Sequence, residues 1–153
     1  MKRFFAILII ALAFLGSCKT KRTDSDAEIE SIENGLKKAI PGKAKSWVVI
    51  LPGLGCNGCI QEGEAFMRDY VDSTDITFIL TKVQSVKILQ LKIGKTINNR
   101  TNVFIDHDGI FNIQTKNVVY PCIAQLKDGN IVAHQFQSPG NSQAFEWLRT
   151  QFE

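Results

Sequence analysis

A buried strand running into a pair of thiols is written in Trp47-Val48-Val49-Ile50-Leu51-Pro52-Gly53-Leu54-Gly55-Cys56-Asn57-Gly58-Cys59. The unbroken apolar run Trp47 to Leu51 suits a central strand covered on both faces, expected over Ser46 to Leu51. Gly53, Gly55 and Gly58 make the loop adaptable. Ile60 to Val71 then reads as a helix with Phe66, Met67 and Tyr70 among its packing positions. Cys56 and Cys59 therefore stand where a strand ends and a helix begins. A thiol there meets the positive end of the peptide dipoles and unpaired backbone N–H groups. Both favour the thiolate, the form that attacks disulfides. Two cysteines three apart can also close a small ring, so the stretch points to thiol–disulfide exchange.

Toward the N-terminus, Asp26 is expected to cap a helix reaching Ile40, because Ile29, Ile32, Leu36 and Ile40 recur on one helical face. Gly35 weakens that helix and Pro41-Gly42 stops it. On the other side, Ile76 to Leu80 reads as a strand, and Ser85 to Gly94 as a helix with Val86, Leu89 and Ile93 inward. Asn102 to Asn112 reads as a hairpin turning at Asp108-Gly109, and Val118 to Leu126 with Asn130 to Phe136 as a second around Asp128-Gly129. A last helix from Asn141 carries Phe145, Leu148 and Phe152 inward, with Trp147 on its flank. Helices that alternate with strands, followed by a late antiparallel hairpin, give an α/β fold. Its central mixed β-sheet is flanked by helices, with an extra helix at the N-terminus.

The chain opens with Lys2 and Arg3, then an apolar run from Phe4 to Leu15, then Gly16-Ser17-Cys18. That is the plan of a secretory signal, and the run falls short of the roughly 20 residues a spanning helix needs. Leu15-Gly16-Ser17-Cys18 resembles the lipobox of bacterial lipoproteins. The resemblance implies cleavage after Ser17 and acylation of Cys18, with an ordinary signal peptide as the plainer alternative. The organisation expected is a cleaved signal peptide over 1–17, a lipidated tether over 18–25 and one domain over 26–153. The formal charge is +3, from 18 basic and 15 acidic side chains, and loss of Lys2 and Arg3 nearly neutralises it. No basic stripe for nucleic acid is present. Export permits disulfides. With Cys18 acylated, Cys56, Cys59 and Cys122 remain, and an odd number cannot all pair within one chain.

Four features in order resemble the thioredoxin superfamily, most of all its membrane-anchored TlpA-type branch in the bacterial envelope. Cys56 and Cys59 follow the first long central strand. Glu62 makes Cys-x-x-Cys-x-x-Glu. Pro121, in Tyr120-Pro121-Cys122, opens a late strand where the superfamily has its cis-proline. Lys127-Asp128-Gly129-Asn130-Ile131-Val132 matches a late hairpin. The resemblance covers roughly Ser46 to Phe152. It implies Cys56 as the exposed nucleophile and Cys59 as the more buried resolving thiol, the two forming a redox-active disulfide. It further implies Glu62 as a proton shuttle for Cys59, and Tyr120 with a cis Pro121 as the substrate-facing loop. Protein disulfides or dithiols would be the substrates, an envelope redox partner would recycle the dithiol, and the dithiol itself would replace any flavin or metal. The sequence departs from the family at Leu54-Gly55, where an aromatic usually precedes the first cysteine. It departs again at Glu64, where a proline is common, and at Ile50, where some members bury an acid.

Each residue also has a plainer reading. The cysteine pair can be a static disulfide in a binding or assembly module. A zinc site lacks a second ligand pair, His107 and His134 standing isolated. A copper-handling protein on this fold would use Cys-x-x-x-Cys, one residue longer. Glu62 can be an ordinary glutamate favoured by the helix dipole, and Glu64 plain surface charge. Asp106, Asp108 and Asp128 read as turn residues. Cys122, which strand alternation groups with Ala124 and Leu126, is expected to be reduced, buried and dispensable for exchange.

Overall fold

The computed structural model describes residues 22–152; the segment expected to be a signal peptide and Cys18 lie outside them. Helix α1 spans Asp24–Ala39, β1 Trp47–Pro52, α2 Asn57–Tyr70, β2 Ile76–Thr81, α3 Val86–Ile93 and β3 Val103–Asp106. A 3-10 turn at Lys116–Val119 leads to β4 Cys122–Lys127, β5 Asn130–Phe136 and α4 Ala144–Arg149. The strands form one five-stranded mixed sheet in the order β3-β2-β1-β4-β5. β1, β2 and β3 run parallel, while β4 is antiparallel to both β1 and β5. The expected architecture, an α/β mixed sheet flanked by helices, is the one observed.

Alternation along the strands sorts side chains into two cores. Trp47, Val49, Leu51, Phe78, Leu80 and Ile123 face one side, where α2, α3 and α4 contribute Phe66, Met67, Leu89, Phe145 and Leu148. Val48, Ile50, Ile79, Cys122 and Ala124 face the other, closed by Ile32 and Leu36 of α1 and by Phe111 and Ile113. β1 is buried at all six positions, as its apolar run requires.

The helix expected over Ser85 to Gly94 is observed as α3. The Ser85 side chain accepts the Ile88 N–H at the start of α3, and Gly94 ends that helix at φ 64°. Five readings need correction. Helix α1 is capped by Thr23, with Asp26 as its capping-box partner three residues on, and not by Asp26 itself. Its buried stripe is Glu28, Ile32, Gly35 and Leu36, rotated from the Ile29 face. No return strand follows β3. The buried Asp106 carboxylate accepts the N–H groups of Ile110 and Phe111, both at 2.9 Å, and so takes the donors that a hairpin partner would use. Val118 and Val119 lie in the 3-10 turn, which Thr115 caps by accepting the Asn117 N–H, and strand pairing begins only at Cys122. Finally, α4 starts at Ala144, three residues after Asn141, where buried Gln137 accepts the Phe145 N–H and donates to the Ser142 carbonyl.

Candidate functional site

Strand β1 ends at Pro52, and the loop Gly53-Leu54-Gly55 delivers Cys56 to the N-cap of α2. Cys56 and Cys59 are joined as a disulfide, with Cα atoms 5.3 Å apart. Cys56 is partly exposed and Cys59 buried, the asymmetry an attacking and a resolving thiol need. The Cys56 carbonyl accepts the Ile60 N–H at 2.9 Å, so the pair sits on the opening turn of the helix. No acidic residue lies in that turn to oppose a thiolate there.

The 3-10 turn forms the opposite wall. The Cys56 N–H donates to the Val119 carbonyl at 3.1 Å. Gly55 has φ 150°, a conformation open to little but glycine, and any Cβ placed on it would collide with the Val119 carbonyl oxygen. Leu54 and Val119 are both substantially exposed, at 52% and 38%, and give the rim an apolar character. A cleft lies between Gly53, Ile60 and Ile88, edged by an ion pair from Lys92 to Glu64 at 2.9 Å. Glu64, read as plain surface charge, is thus half-buried and tied to α3.

The structure brings Cys56, Cys59 and Val119, which precedes Tyr120-Pro121, together. It does not hold Glu62 in the partly buried position that a proton shuttle requires. Gly63, Phe66 and Met67 take the core side of α2, and Glu62 is exposed. Tyr120 is half-buried and Pro121 buried beside β4. No cis peptide bond occurs among the described residues, so the Tyr120–Pro121 bond is trans. Tyr120 has the extended conformation, φ −109° and ψ 146°, that a residue before a trans proline favours. Cys122 is unbridged and fully buried on the α1 side of the sheet, beside Ile50. Burial, with the nearby Glu28 charge adding to it, pushes its thiol well above the ordinary range.

Sequence reasoning missed a buried polar cluster behind the 3-10 turn. Glu28 of α1 is 4% exposed. One of its carboxylate oxygens accepts from the Thr115 hydroxyl and, at 2.8 Å, from the Asn117 amide. The other lies 2.9 Å from Nε2 of His134 on β5. Burial alone would raise the Glu28 carboxyl, but hydrogen bonds from Thr115, His134 and Asn117 outweigh it and hold the group below the usual glutamate range. One signal was available: Glu28 stands four residues before Ile32, on the stripe that continues to Leu36. No protein-family model, curated protein or solved structure matches the chain.

Proposed function

We propose that the chain is a thioredoxin-like thiol–disulfide oxidoreductase of the bacterial envelope, held to a membrane by an acylated Cys18. One observation carries the chemistry: the Cys56–Cys59 disulfide at the N-terminus of α2, at the end of the central strand, with the first sulfur outward and the second inward. In the reduced form, Cys56 attacks a substrate disulfide, one substrate sulfur leaves as a thiolate, and a mixed disulfide forms. Cys59 then loses its proton and attacks the Cys56 sulfur, releasing the substrate as a dithiol and closing the ring. In this direction two electrons pass from the protein to the substrate; run in reverse, the same steps oxidise a substrate dithiol, and in either direction an envelope redox partner restores the starting form. The run of strand, Cys-x-x-Cys helix, strand, helix, late hairpin and helix supports the thioredoxin-like reading. With Glu62 exposed, the proton from Cys59 passes to water.

Trapping tests this reading. Cys59→Ser is expected to accumulate mixed disulfides through Cys56, and Cys56→Ser to abolish exchange with a disulfide-bonded protein. A Cys56→Ser chain that reduces the substrate at the parent rate refutes the assignment. If the parent itself resists mild reductants and does not exchange, the pair is a static cross-link in a binding module. Intact mass of the membrane-extracted protein tests the anchor: retention of residues 1–17, or an unmodified Cys18, removes it.

A further inference from the structure

Glu28 takes no part in the exchange steps above, yet what it bonds leads to Cys56. Its carboxylate accepts from Thr115 and Asn117, the cap and second residue of the 3-10 turn. Thr115 accepts the Asn117 N–H with the same hydroxyl, at 3.2 Å, so the turn's start is fixed to the side chain that Glu28 grips. Four residues later the Val119 carbonyl accepts the Cys56 N–H, and Gly55 gives the two backbones room to touch. His134 holds the other carboxylate oxygen against β5, so the grip is anchored to the sheet and not to α1 alone. We propose that Glu28 is a positioning residue for the dithiol: from the N-terminal helix it fixes the Thr115–Tyr120 turn, and through the Val119 carbonyl the turn fixes the backbone of Cys56.

The proposal rests on the exchange reading in that the positioned pair is taken to be reactive. As the N-cap of α2, Cys56 has its sulfur aimed by its own backbone angles relative to the free N–H groups of the first turn. A turn that drifts lets that aim drift. The thiolate then loses part of its stabilisation, the reduced form is weakened, and equilibrium moves toward the disulfide.

The test uses the full-length chain in detergent, with Glu28→Leu, Glu28→Gln and Thr115→Val. Glu28→Leu removes the acceptor, while Glu28→Gln keeps an oxygen for Thr115 and Asn117. Thr115→Val cuts the same link from the turn side, should Glu28→Leu fail to fold. The first readout is hydrogen exchange at the Cys56 amide in the oxidised chain, with the Val49 and Ile123 amides as controls for an intact sheet. The second is equilibrium with oxidised glutathione, in which the dithiol yields two electrons and two protons to form two molecules of reduced glutathione. Expected in Glu28→Leu and Thr115→Val are a Cys56 amide at least tenfold faster and an equilibrium at least threefold further toward the protein disulfide. Glu28→Gln should stay within twofold of the parent in both. An unchanged Cys56 amide overturns the proposal, and so does a faster amide with an unmoved equilibrium. A parent that does not exchange with glutathione at all sinks the exchange reading instead. The positional link is then still supported by acceleration of the Cys56 amide or overturned by its constancy.

Discussion

At the scale of single residues, two buried groups of the back core behave in opposite ways. Cys122 is buried, unbridged and held as a thiol by burial, where Cys56 is partly exposed. Cys122→Ala is expected to leave exchange with a protein disulfide at the parent rate and to lower stability by about 1 kcal/mol, the small volume lost to the core. Loss of activity in a folded Cys122→Ala chain would make Cys122 a third redox thiol. Glu28 is a charged group satisfied by three partners, and its folded carboxyl titrates below its unfolded value. A depressed carboxyl contributes stability above the unfolded value, about pH 4.3, and loses it as pH falls through the folded value. The stability gap between parent and Glu28→Gln should therefore be full at neutral pH and shrink below about pH 4. Urea midpoints measured from pH 7 to pH 3 check this, and a gap that does not change with pH contradicts it.

Among the elements, what was legible depended on how local each signal is. Strand β1, strand β2 and helix α3 were read almost to the residue, because an apolar run and apolar side chains at helical spacing act within a few positions. The cysteine pair was legible for the same reason: its spacing is its geometry. The hairpin expected after Asn102 was not, since the capture of two backbone N–H groups by buried Asp106 depends on the tertiary setting of the loop. Nor was the Glu28 cluster, whose two ends lie 106 residues apart in the chain. Gly35 shows how packing overrides propensity. Alanine there should favour the helix by roughly 1 kcal/mol. The new Cβ, however, would stand 2.5 Å from the buried Phe111 ring, and overpacking a core costs about 1–3 kcal/mol. Gly35→Ala is therefore expected to destabilise, seen as a lower urea midpoint with unchanged slope; a higher midpoint would show that Phe111 can move aside. Gly55→Ala meets both positive φ and the Val119 carbonyl, so it should lose about 1–3 kcal/mol and also disturb the dithiol.

Over the whole molecule, one sheet separates two unlike cores, and the question is whether they melt together. The front is aromatic: Phe66 stacks on Tyr70 at 4.5 Å and on Phe145 at 5.1 Å, and Trp47 meets Trp147 edge-on at 5.6 Å. The back is smaller and depends on α1, which supplies Ile32 and Leu36 and the Glu28 anchor. β1 and β4 belong to both layers, with Val49 and Ile123 in front and Val48, Ile50, Cys122 and Ala124 behind. Stripping the back layer exposes the rear of the strands whose front faces pack the tryptophans. A chain of this size built on one shared sheet should unfold as a unit. Both tryptophans lie on the front side, so their fluorescence reports that layer, while far-ultraviolet circular dichroism reports all elements. Ile32→Ala, a back-core truncation expected to cost about 2–5 kcal/mol, should then lower both midpoints equally in the disulfide-bonded chain. Phe145→Ala, its front-core counterpart at about 3–5 kcal/mol, should do the same. If Ile32→Ala leaves the tryptophan transition at the parent midpoint while the dichroism splits in two, α1 and its layer form a separate unfolding unit. The coupling between α1 and the dithiol would then be one the protein can lose without losing its fold.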